Sequence, residues 1–129
     1  MFRQSSVEIL APAGTYEAVE AAVRCGANAV YLGGKSLNAR RNAGNFSAQE
    51  LKAAAEYCHA RGVQVHMALN TLADDTEIKA QVQAAVRDAC LAGVDALIVQ
   101  DLGVYRIVRQ CAPTMPVHAS TQMSVHTLA

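Results

Sequence analysis

His118 and Ser120 stand two residues apart near the end of the chain, and Asp101 directly follows an apolar run and Gln100. Lys35, Arg40 and Arg41 share one loop that has no acidic residue before Glu50. An imidazole, a hydroxyl and a carboxylate are the groups of general acid–base and nucleophilic chemistry. Clustered cations and amides are the groups that grip anions. On this basis Asp101 and His118 are the candidate catalytic residues. Lys35, Arg40, Arg41, Asn45, Asn70, Gln100, Ser120 and Gln122 are the candidate substrate-binding residues.

Each of these has a plainer reading. The basic loop serves equally well as a solvated connection, and Asp101 as the N-terminal cap of the helix that begins at Leu102. Ser120 lacks the GxSxG elbow of a hydrolase, and neighbours two apart on a strand are about 6 to 7 Å apart at Cα. Glu8 is the acid that would complete a triad with them if it shared their side of the sheet. His66 reads more simply as a hydrogen-bonded interior residue than as a base. The pair Gly33-Gly34 is not a dinucleotide-binding turn, because its link to the next helix is too long.

The elements that would position these groups alternate regularly. Strands are expected at residues 7–11, 28–32, 63–69, 95–99 and 117–121, and helices from about Thr15 to Cys25, 48–61, from Asp74 to before Gly93, and about 102–111. Ser47 and Glu50 form a capping box at the second helix. Apolar residues recur at helical spacing through Ile78, Val82, Ala85, Val86 and Ala89. A fifth helix would begin near Ser124. The segment 25–32 matches 92–99 in residue type at almost every position, so the βα units repeat. A β-α-β-α-β-α-β-α-β order implies parallel strands with crossover helices.

Two architectures fit that order, a doubly wound sheet and a barrel. In a doubly wound sheet the strands are apolar on both sides. Here they alternate: Val63, Val65, Met67 and Leu69 oppose Gln64, His66, Ala68 and Asn70. Val7 and Ile9 oppose Glu8 and Leu10, and Val117 and Ala119 oppose His118, Ser120 and Gln122. One side suits covering helices and the other forms a hydrophilic bore, so the expected fold is α/β, about half of a TIM-like (β/α)8 barrel. Such a barrel takes about 250 residues, against 129 here. The first and fifth strands would be open edges. The reading is therefore one half-barrel domain over residues 1–129, either part of a longer protein or completed by self-association through those edges.

Formal net charge is zero, which argues against a surface that binds nucleic acid everywhere. No apolar run approaches the roughly 18 residues of a membrane span, and the first residues lack a signal-peptide core, so the expected location is cytoplasmic. Cys25, Cys58, Cys90 and Cys111 form no CxxC pair. They read as small buried thiols rather than as ligands of a metal or a cluster.

Six segments together resemble a known family. They are Glu8-Ile9-Leu10-Ala11-Pro12-Ala13-Gly14, Ala29-Val30-Tyr31-Leu32-Gly33-Gly34, residues 38–46 (NARRNAGNF), Leu69-Asn70-Thr71-Leu72, residues 96–103 (ALIVQDLG), and His118-Ala119-Ser120-Thr121-Gln122-Met123. In order and spacing they resemble the opening of the collagenase-like peptidases, family U-32. The resemblance implies a barrel-like N-terminal domain and a peptidase label. It also implies, for some members, oxygen-independent hydroxylation of RNA pyrimidines or of ubiquinone precursors, with an iron–sulfur cluster and, for the RNA enzymes, prephenate as hydroxyl donor. None of the four cysteines matches the family's cluster ligands, so no cofactor is expected on this chain itself. RNA or a small anionic substrate is the implied partner.

Overall fold

The computed structural model describes residues 7–34, 45–69 and 78–127. Its elements in order are β1 (Leu10–Pro12), α1 (Tyr16–Arg24), β2 (Ala29–Gly33), α2 (Ala48–His59), β3 (Gln64–Leu69), α3 (Ile78–Ala92), β4 (Ala96–Val99), α4 (Leu102–Cys111) and β5 (Val117–Ala119). A 3-10 turn at Thr121–Met123 follows.

Local chemistry sets the helix ends. Thr15 Oγ1 accepts from Ala18 N–H at 3.2 Å at the start of α1. In α2 the Glu50 carboxylate accepts from Ser47 N–H at 2.7 Å, and Ser47 Oγ accepts from Glu50 N–H at 3.3 Å. This is the expected capping box. α4 starts on Asp101, whose Oδ1 accepts from Val104 N–H at 3.0 Å.

All five strands are parallel, and their order in the sheet is their order in the chain, β1-β2-β3-β4-β5. Successive right-handed crossovers that always step the same way lay every helix on one face. Neighbouring helices accordingly pack as α1 on α2, α2 on α3 and α3 on α4. Between them and the sheet lies the core, with Val30, Leu32, Val65, Met67, Leu97 and Val99 meeting Val19, Leu51, Val82, Val86, Val104 and Val108. Each such side chain contributes about 1.5–3 kcal/mol by leaving water. At Gly34 a Cβ would lie 2.5 Å from Met67 Cε, so a larger residue there would make the end of that flexible side chain move.

The alternate residues form the other face. Register aligns Pro12, Tyr31, His66 and Ala96 in one row, and Gly33, Ala68, Ile98 and His118 in the next. No described helix covers these rows.

The sequence echo is a physical repeat. Helices α1 and α3 are followed by Gly26 and Gly93, at φ +90° and +81°, backbone that glycine adopts without strain. Each turn then delivers an amide or a carboxylate to the preceding strand. Asn28 Oδ1 accepts from Ile9 N–H at 2.8 Å while Asn28 N–H donates to Ile9 O at 2.9 Å. Asp95 Oδ2 accepts from Val65 N–H at 2.7 Å while Asp95 N–H donates to Val65 O at 2.9 Å. The two βα pairs are thus locked by the same two-bond clamp.

Several expectations need correction. β1 starts at Leu10 rather than Val7, and Val7 and Ile9 are 86% and 55% exposed, because no described element lies over them. β5 stops at Ala119, because the chain turns at Ser120 into the 3-10 segment. α2 ends at His59, two residues early. Only Cys58 is buried, whereas Cys25, Cys90 and Cys111 are exposed. The expected opening of α3 at residues 74–77 lies outside the described residues.

Candidate functional site

At the C-terminal ends of the strands the uncovered face forms a concavity of about 390 Å³. Ala68 and Ile98 from neighbouring strands, together with Leu10, give it an apolar floor, and Tyr31 and His118 contribute rings. Ser120, Thr121 and Gln122 close the rim. The rim owes its shape to a turn: Ser120 N–H donates to Val99 O at 2.7 Å, tying the chain to β4, and Ser120 Oγ accepts from Gln122 N–H at 3.3 Å. This lining mixes apolar surface with a few converging polar groups, the usual make-up of a small-molecule site.

Beneath it sits His66, 3% exposed. Its ring meets that of His118 edge to face, with centroids 4.9 Å apart and planes at 86°. The expectation that His66 is hydrogen-bonded is not met at Nδ1, which has no hydrogen-bond partner among the described residues. Burial holds its pKa below the ordinary histidine value, and His118 pushes the same way. Glu8 and Asp95 oppose that shift with smaller effects.

The structure brings together His118, Ser120 and Gln122 from the residues singled out in the sequence. Asp101 stands apart as the cap of α4, the plainer of its two readings. Gln100, after β4, and Asn45, ahead of α2, are described but do not line the concavity. Lys35, Arg40, Arg41 and Asn70 lie outside the described residues. The flanks of the basic loop are nevertheless fixed, since Phe46 N–H donates to Gly33 O at 3.0 Å and Phe46 pairs with Gly34. Among the described residues that line the concavity with His118 and Ser120 there is no carboxylate. Glu8 lines a separate hollow with Asn28, Gly62 and Gln64 at the opposite ends of the strands.

Tyr31 was expected on the hydrophilic side of the strands, whereas Leu10, Ala68 and Ile98 were not singled out as site residues from the sequence. Alternation on the strands was the signal available for them, because all occupy positions facing away from the helices. Among the described residues no group of three or more His, Cys, Asp or Glu is placed to hold a metal ion. The buried thiol of Cys58 has its pKa raised by burial and then by Asp95, which makes it a poor ligand.

Consecutive parallel βα units, helices on one face and a hollow at the strands' C-terminal ends define part of a TIM-like barrel with its site at the usual end. The YdjI aldolase from Escherichia coli K12 shares this fold with a TM-score of 0.59 at 19% identity, over 85% of this chain and 42% of that one. The chain belongs to peptidase family U32, whose model matches residues 14–129. It is 36% identical over 95% of its length to the 23S rRNA 5-hydroxycytidine C2501 synthase of Escherichia coli K12, covering 18% of that protein. It is 35% identical over 92% of its length both to a collagenase of Porphyromonas gingivalis and to tRNA hydroxylation protein P1 of Bacillus subtilis, covering 28% of each. The chain thus spans less than a third of the curated relatives it matches. Among the described residues no helix is long and apolar enough to cross a membrane.

Proposed function

We propose that this chain is the first half-barrel of a cytoplasmic RNA-modifying enzyme of family U32, and that its concavity receives one pyrimidine base. The observation that carries this reading is the lining: two rings, Tyr31 and His118, above an apolar floor, with Ser120 and Gln122 at the rim. Unpaired bases are held by stacking on such rings and by hydrogen bonds to their edges. A hollow of about 390 Å³ has room for a nucleobase. In this reading Lys35, Arg40 and Arg41 meet phosphates, while Asn45, Asn70 and Gln100 orient the strand at the mouth. His118 is the group available for proton transfer. Asp101 is left to its helix. Relatives named for rRNA and tRNA hydroxylation support the substrate class.

A peptidase reading draws on the family description and the collagenase relative. Ser120 is engaged as a turn cap, and among the described residues no carboxylate lines the concavity with His118, which supports binding of a base. A second reading, a non-catalytic half-barrel completed by a second copy or another protein, is favoured by the exposed Val7 and Ile9 ahead of β1 and Leu10 at its start.

The test is an NMR titration with a short cytidine-containing single strand, beside the same strand with that base removed. Shifts centred on Ile98, His118 and Ser120 are expected only with the base present. Tyr31→Ala should weaken binding by the worth of one stacked base, about 1–3 kcal/mol. Equal binding of the abasic strand would refute the reading.

A further inference from the structure

His66 is the buried polar side chain among the described residues, and its Nδ1 has no partner. An apolar side chain would avoid that cost, so the imidazole needs another reason to be there. What the structure shows it doing is supporting a neighbour. It lies one row below the concavity, in register with Tyr31 and Ala96, and its ring stands edge to face with His118 at 4.9 Å. His118 is exposed and lines the hollow.

We infer that His66 is a positioning residue that holds the His118 ring upright in the concavity and releases it when the pair gains positive charge. The part about ligand use rests on the base-binding reading above; the part about ring geometry does not. Edge-to-face packing sets the positive edge of one ring against the electron-rich face of the other. A neutral pair satisfies this, and two imidazolium rings at that separation repel. The groups facing His66 are Tyr31 from β2, His118 from β5, Glu8 ahead of β1 and Asp95 ahead of β4. The two carboxylates favour its protonation, but burial and His118 outweigh them. His66 therefore takes up its proton at a lower pH than an unburied histidine, and that protonation dismantles the pair.

The experiment follows the imidazole Cε1–H signals and the His118–Ile98 contacts by NMR, from about pH 8 to about pH 4.5, spanning the ordinary histidine range. In the wild-type chain His66 should protonate at a lower pH than an unburied histidine, and the His118–Ile98 contacts should vanish in the same step. His66→Phe preserves a ring and should keep those contacts down to the lowest pH at which the chain is folded. His66→Leu should lose them at every pH and weaken oligonucleotide binding by about two- to tenfold, the worth of one aromatic pair, with its circular dichroism unchanged. His118 contacts that persist in wild type after His66 protonates, or that match wild type in His66→Leu, would overturn the inference. The wild-type titration decides the matter even if neither variant folds. Should the oligonucleotide fail to bind wild type, the base-binding reading falls and the ring measurements still judge His66.

Discussion

Replacing Asp95 by alanine should destabilise this fold substantially, because one carboxylate closes two links. Its Oδ2 accepts from the part-buried Val65 N–H at 2.7 Å and meets His59 Nε2 at 2.8 Å. A hydrogen bond from a backbone amide to a charged acceptor contributes about 1.5–3 kcal/mol. The His59 pair, with side chains 40% and 32% exposed, is worth about 0.2–1 kcal/mol after solvent screening. Asp95→Ala should therefore destabilise by about 2–4 kcal/mol. Asp95→Asn should lose only about 0.5–1.5 kcal/mol, because an asparagine already makes the equivalent bond to Ile9 from position 28 at 2.8 Å. For a chain of this size 1 kcal/mol moves Tm by roughly 3–5 °C. The separation would show in thermal unfolding by circular dichroism and in urea midpoints at constant m. High salt should erase the small His59 share and leave the amide share. If asparagine proved as damaging as alanine, the clamp would not be the amide bond but the charge. If alanine cost under about 1 kcal/mol, the clamp would be ornamental.

Other perturbations separate structure from chemistry. Asp101→Asn should leave stability and oligonucleotide binding within error, since asparagine caps as well as aspartate, while Asp101→Ala should cost about 1 kcal/mol in urea unfolding. A loss of binding in Asp101→Asn would return Asp101 to the site. Leu97→Ala, at a fully buried core position, should cost about 2–5 kcal/mol; a smaller value would mean that the helices collapse onto the sheet. For His66 the sign follows from its depressed pKa. The unfolded chain takes up the proton first, so stability is complete above about pH 6.5 and falls as pH drops toward the folded pKa. His66→Phe should remove that share, so its urea midpoint should gain on wild type as the solution is acidified. Parallel curves for the two proteins would contradict the assignment.

The order of elements could be read from the chain, because caps and repeats are properties of neighbours. Ser47 and Glu50 find each other three residues apart, and Gly26 and Gly93 end their helices through their own φ angles. In β3 the alternation of faces was legible for the same reason, whereas β2 and β4 are apolar on both sides. A strand reverses side at every residue, so Val65 and Met67 pack on helices whenever His66 and Ala68 do not. The thiols show where this reasoning thins. Cys58 shares its helix face with Leu51, Ala54 and Ala55 and is buried, whereas Cys111 continues the stripe of Val104 and Val108 but lies at the last residue of α4 and is exposed.

What the sequence determined by itself was therefore the parallel βα order, the family and the two sides of β3. Tertiary structure alone decided that Val7 and Ile9 are left uncovered, that Asp95 reaches both Val65 and His59, and that His66 lies buried against His118. The physical reason is separation along the chain. Periodicity reports contacts within a few residues, while the cover on a strand edge and the partner of a buried ring come from segments tens of residues away.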